Sequence, residues 1–169
     1  VLVVSKQISS SYMPLSAIIM NDRFYQPIAD ESDRIGVFGH GYTASGHPVA
    51  TAVGLENLKI IQERDLVGNV ARLEAQFLSG LEELAKHPVS HSSRGIGLLG
   101  ALEINPFADG KAGDAAAAVS AACEEEGLIV RNIAEAICFC PPMIITAEQI
   151  DDMFAAVRRA LDKVQAARA

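Results

Sequence analysis

No run of apolar residues in this 169-residue sequence reaches the roughly 18 that a membrane-spanning helix needs, so no transmembrane segment is expected. The apolar opening, Val1 to Val4, has neither the basic flank nor the length of a secretory signal. Cysteine is scarce. Cys123, Cys138 and Cys140 make an odd count that forms no disulfide framework and suits a reducing compartment, so a cytoplasmic protein is expected. Excess positive charge is lacking too: the formal net charge is −7, with acidic and basic residues mixed along the chain. Without a basic stripe to neutralise phosphates along a duplex, nucleic-acid binding is not expected. Repeats and low-complexity linkers are absent, the alanine run after Gly113 being helical in character.

What is present is a chain that is 50% hydrophobic and 21% charged, the balance of a globular protein with a real core. Its first residue, Val1, lies inside what reads as a buried strand, which suggests the C-terminal portion of a longer protein. A second strand is expected at residues 17–20, and an irregular surface excursion of mixed charge at residues 22–34. The glycine-dense FGHGYTASGHP, residues 38–48, reads as a loop, and Pro48 suits the first turn of a helix that ends near Arg64. Leu66, Val70, Leu73, Phe77, Leu81 and Leu84 recur at three or four residues and predict a second helix, limited by Pro88, with Lys86 and His87 in its last turn.

The remainder reads as strand (GLLGALEI), helix closed by Gly127, two strands (LIVR and AICFC) and a final helix from Ala147 to about Ala167. Thr146 and Gln149 have capping-box spacing, and Ile150, Met153, Phe154, Val157, Leu161 and Val164 supply that helix with a buried stripe.

Two segments carry possible chemistry. Lys6 leaves an aliphatic strand and precedes a run of small hydroxyl residues. A free lysine amine, with a pKa of about 10.4, is almost wholly protonated at neutral pH, and a lysine that attacks carbonyls needs burial or a nearby cation to change that. Most lysines in such a place are structural or incidental. In the loop, Gly39, Gly41 and Gly46 let the backbone approach a ligand, Thr43 and Ser45 supply hydroxyls, and the following helix offers free N–H groups. That combination fits an anion site as well as it fits a plain turn.

Taken in order, SKQISSSYMPLSAIIM, FGHGYTASGHPVATAVGLENL, RGIGLLGALEI and GLIVRNIAEAICFCPPMIITAEQID resemble the C-terminal portion of a class III aminotransferase, a pyridoxal-phosphate enzyme of fold type I. The resemblance covers nearly the whole chain. It implies an α/β fold in which residues 1–66 end the large cofactor-binding domain and residues 67–169 form a small α+β C-terminal domain. By position, Lys6 corresponds to the lysine that holds pyridoxal 5'-phosphate as a Schiff base and then shuttles a proton. Thr43 corresponds to the threonine that binds the cofactor phosphate of the neighbouring subunit, which implies a homodimer. Arg131 corresponds to an arginine that in many members pairs with the carboxylate of an amino or keto acid, a task suited to a planar guanidinium. Here Ala134 and Glu135 stand where many relatives have Gly-Asp, and alanine is less at ease with positive φ.

The implied reaction moves an amino group from an amine or ω-amino acid to a keto acid. A decarboxylase, racemase or aminomutase on the same fold would keep Lys6, and a non-catalytic α/β binding module over residues 67–169 would need none of these residues. The family's N-terminal part supplies an aspartate to the pyridine nitrogen, a stacking aromatic and a further phosphate turn, so these residues alone are not expected to turn over. Other residues read more plainly. His40 and His47 lack a partner cluster of metal spacing, so no metal site is expected. Cys138 and Cys140 read as small buried hydrophobes sharing one strand face. Arg94 reads as fixing the start of a strand, and the context of Tyr12 and Tyr42 does not decide their role.

Overall fold

The computed structural model describes residues 1–168, and these form an α/β structure in two units, Val1–Asp65 and a second beginning at Leu66. In the first unit, β1 (Leu2–Val4) and β2 (Ala17–Ile19) pair antiparallel, with Leu2 opposite Ile19, Val3 opposite Ile18 and Val4 opposite Ala17. A 3-10 turn, Lys6–Ile8, follows β1 directly, so Lys6 does sit at a strand exit.

Residues 22–35 are not irregular. They form α1 (Asp22–Ile35), a helix with no buried residue, followed by Gly36 at φ 102°. Its stability is local: Asp22 in the first turn and Arg34 in the last complement the helix dipole, and Gln26–Asp30 and Arg34–Glu31 pair at helical spacing. The mixed charge that suggests an excursion is the solvated surface of this helix, and Pro27 inside it obscures the pattern. The helix α2 (Pro48–Glu63) completes the unit.

The second unit contains a four-stranded antiparallel sheet in the order β3-β4-β6-β5, made of β3 (Ser90–Ile96), β4 (Leu99–Ile104), β5 (Arg131–Ile133) and β6 (Ala136–Phe139). The helix α3 (Leu66–Ala85) packs on β3 and β4, α4 (Asp114–Glu125) packs on β5 and β6, and α5 (Ala147–Arg168) packs on α3 and α4. Phe77, Leu81 and Leu84 of the predicted α3 stripe are buried, as is the α5 stripe except for the half-buried Phe154. The capping box is formed: Thr146 N donates to Gln149 Oε1 (3.0 Å) and Gln149 N donates to Thr146 Oγ1 (3.3 Å).

Four details depart from the sequence reading. The strand β3 has no counterpart there, because SHSSRGI is polar and mostly exposed, and its pairing comes from the tight turn through Gly97 at φ 56°. Arg94 therefore lies within β3, opposite Ala101, with its guanidinium paired to Glu103, instead of at a strand's start. The segment LIVR forms a strand only from Arg131, and Lys86 and His87 lie just past the end of α3 instead of in its last turn. Among the described residues no helix is long and apolar enough to cross a membrane.

An ion cluster joins α5 to the end of α4. Glu126 accepts from Arg159 Nε at 2.5 Å and pairs with Lys163, and these contacts lower its pKa below the ordinary carboxylate value. A depressed folded-state pKa contributes stability that is complete above the unfolded value and is lost as pH falls through the folded one. Glu126→Gln should therefore flatten the decline of the thermal midpoint between about pH 5 and pH 3 relative to wild type. Identical slopes would show that the cluster contributes nothing to folding.

Candidate functional site

Lys6 is exposed and its backbone has φ 57°, in the left-handed region that a residue with a Cβ enters at a cost of roughly 1–2 kcal/mol. Ser10 and Ser11, at φ 46° and 64°, are held the same way. Such backbone persists only where surrounding contacts over-determine it. Here they do. Ser9 N donates to Lys6 O and Ser10 N to Gln7 O, both at 3.3 Å, and the buried Ser9 Oγ donates to Met13 O at 2.6 Å. The α2 side chain Asn57 donates from Nδ2 to Gln7 O (2.7 Å) and Ile8 O (3.3 Å), and its Oδ1 accepts from Ser10 Oγ (2.7 Å). The helix comes close at this point: a Cβ on Gly54 would lie 2.6 Å from Leu15 Cδ2.

The loop before α2 is exposed, and Thr43 sits at its centre with its hydroxyl unengaged among the described residues. One turn is closed by Ser45 N donating to Tyr42 O (2.9 Å), and His40 packs edge-on to Tyr42 with ring centroids 4.6 Å apart. A Cβ added at Gly39, Gly41 or Gly46 would meet nothing within 4 Å, so the loop backbone is open to approach. Pro48 starts α2 with no side-chain cap, and Thr51 N takes the first intrahelical bond, to His47 O. The amides of Val49 and Ala50 thus face the loop end of the helix without an intrahelical acceptor.

Lys6 and Thr43 both belong to the first unit, while Arg131 belongs to the second. Arg131 opens β5 opposite Cys138, is exposed, and lines a groove of about 830 Å³ together with Leu128, Val130, Cys140, Pro142 and Met153. The departure at Ala134–Glu135 is accommodated. Ala134 takes φ 49° in the β5–β6 turn, Ile104 N donates to Glu135 O (2.8 Å), and the Glu135 carboxylate accepts from Gly113 N (2.5 Å) at the start of α4.

The cysteine reading needs correction. Cys138 is half-buried and Cys140 exposed: Cys138 is in β6, whereas Cys140 lies past its end at Phe139, and all three residues line the groove. Cys123 is the buried thiol, with its pKa pushed up to about 11 by burial and the nearby Glu126. Tyr12 and Tyr42 are exposed. No group of three His, Cys, Asp or Glu side chains among the described residues could hold a metal ion. Sequence reasoning missed Asn57, and the available signal was an asparagine, a poor helix former, in mid-helix across from a run of serines.

The class III aminotransferase profile matches residues 1–161. The mitochondrial gamma aminobutyrate transaminase 1 of Solanum lycopersicum is 34% identical over 96% of this chain and 32% of its own length. An uncharacterised aminotransferase of Sinorhizobium fredii is 36% identical over 95% of this chain and 36% of its own. Among solved structures, a transaminase with L-alanine superposes with TM-score 0.94 at 44% identity, covering 99% of this chain and 41% of that one. An omega transaminase from Pseudomonas jessenii in complex with PMP superposes with TM-score 0.90 at 40% identity, covering 97% and 37%. This chain therefore spans about a third of the curated relatives and two-fifths of the solved ones, and it belongs to the class III aminotransferase family.

Proposed function

We propose that the complete protein is a pyridoxal-phosphate-dependent transaminase that moves an amino group from an amine or ω-amino acid to a keto acid, as a cytoplasmic homodimer. In this reading the chain holds the end of the large domain and the small C-terminal domain. The observation that carries it is the exposed Lys6 amine, held on a strained turn at a strand exit in a chain of this family.

The residues present fit two parts of the cofactor. Lys6 supplies the amine that its aldehyde requires. The open glycine loop, the unengaged Thr43 hydroxyl and the free amides at the start of α2 suit its phosphate. When bound, the cofactor supplies the electron sink for carbanion chemistry at the substrate α-carbon. Lys6 Nζ would hold the cofactor covalently and, once free, would accept and return the proton of the substrate α-carbon. Thr43 would donate from its hydroxyl and backbone N–H to the phosphate of the partner's cofactor. Arg131 would pair with the carboxylate of the keto acid and leave an uncharged amine alone.

The test is borohydride reduction of the full-length enzyme followed by peptide mapping, together with an amine-to-keto-acid transfer assay. A phosphopyridoxyl label on Lys6 with net transfer is expected. An unlabelled Lys6 overturns the reading, and decarboxylation or racemisation without transfer replaces it with another reaction on the same fold. Arg131→Ala should raise the KM for the keto acid by about 10- to 100-fold, the loss of one charge-assisted pair, while the KM for an uncharged amine stays within about twofold.

A further inference from the structure

We propose that Asn57 is the positioning residue for Lys6, and that its two donated hydrogen bonds keep the lysine's strained turn in its working shape. The inference rests on the reading of Lys6 given above.

Lys6, Ser10 and Ser11 all have positive φ within six residues, although none is glycine. An unsupported segment of this kind relaxes to ordinary backbone, because each left-handed residue costs free energy. The turn's own bonds are long: Ile8 N to Ser5 O, Ser9 N to Lys6 O and Ser10 N to Gln7 O are all 3.3 Å. Beyond these backbone bonds, Ser9 Oγ ties the segment forward to Met13 O at 2.6 Å, and Asn57 Nδ2 reaches in from α2 to Gln7 O at 2.7 Å, on the residue next to Lys6. A second bond from the same nitrogen reaches Ile8 O at 3.3 Å, so both donors of the amide are used on the two residues after Lys6. The remaining amide oxygen accepts from Ser10 Oγ, which itself accepts from Gln7 Nε2 at 3.0 Å. One side chain thus satisfies three groups of the turn, and Gly54 one helical turn earlier allows α2 to come near enough for it to do so.

This geometry separates Asn57 from a residue that merely fills space. Aspartate has almost the same shape but no donor, and it would set a carboxylate against two carbonyl oxygens. Ser10→Ala removes only the accepted bond and leaves both donated ones.

The experiment compares full-length holoenzyme with Asn57→Asp, Asn57→Ala and Ser10→Ala. Each is mixed with an uncharged amine in a single half-reaction followed by cofactor absorbance, with hydrogen or deuterium at the donor's α-carbon. Both Asn57 variants should slow the isotope-sensitive proton transfer by about 10- to 100-fold, since small misplacements of a reacting group cost that much, with amine affinity within about twofold. Ser10→Ala should stay within about threefold of wild type. Proton transfer within about twofold of wild type in both Asn57 variants overturns the proposal, as does an equal loss in Ser10→Ala. Should the Asn57 variants not fold, amide hydrogen exchange on the wild-type holoenzyme decides: protection of residues 8–10 well above that of the loop at 38–46 supports the clamp, and equal exchange overturns it. Borohydride labelling of the wild type separates the two ideas, because an unlabelled Lys6 removes both, whereas a labelled Lys6 with normal Asn57 variants removes only this one.

Discussion

Lys6→Ala in the full-length enzyme will leave the cofactor bound only by contacts and will slow each half-reaction by on the order of 10³-fold or more. The size of the effect follows from two roles on one atom. In the proposed reading the amine is both the covalent attachment point and the group that carries the proton, and proton transfer by a positioned base alone contributes about 10²- to 10⁴-fold. Lys6→Arg should fare no better, since a guanidinium remains protonated and cannot attack a carbonyl. Rapid mixing with an amine donor, read as the loss of the cofactor's visible band, measures both variants. Near-normal turnover in either would show that another amine does the chemistry.

The second large effect concerns folding. Leu102 lies in β4, between Ser93 of β3 and Ile137 of β6, and is fully buried in the core beneath the helices. Leu102→Ala removes three buried carbons from a site walled on both sides by paired strands, which leaves the surroundings little freedom to close the gap. The expected cost is about 2–5 kcal/mol, a large share of the roughly 5–15 kcal/mol that holds a domain together. Ile129, 88% exposed, provides the contrast: Ile129→Ala should change stability by no more than about 0.5 kcal/mol. Chemical denaturation of the two variants, followed by circular dichroism, checks the pair, and equal midpoints would mean that the core does not include β4 as described.

Helices whose apolar residues face a core announced themselves in the sequence, and α3 and α5 follow the three-and-four spacing of their leucines, isoleucines and valines closely. Elements without a covered face did not. In α1, Phe24, Ile28 and Ile35 recur at helical spacing, but every position is exposed or half-exposed, and Pro27 and the mixed charge between them hide the stripe. The strand β3 is legible only through its partner, because a polar sequence becomes a strand when Gly97 turns it back onto β4. For the candidate site, Lys6 and Thr43 were found through their neighbours along the chain, whereas Asn57 acts on residues about fifty positions away, and a contact of that range leaves little local trace. The cysteines show the same limit: alternation predicts a shared buried face, but where β6 ends, at Phe139, is set by its pairing with β4 and β5, and that leaves Cys140 exposed.

The unequal distribution of the core has a consequence for how the molecule comes apart. The buried apolar cluster draws its members from Phe77 onward, while the first unit buries little beyond Ser9, Ala50 and Gly54 and leaves Leu2, Val3, Ile18 and Ile19 uncovered. A two-stranded ribbon with both faces bare is barely able to support itself in water. Heat or denaturant should therefore act on these 169 residues by themselves in two stages, melting Val1–Asp65 before the sheet with its three helices. The candidate lysine thus lies in the unit with little core of its own, and Arg131 in the unit that carries the core.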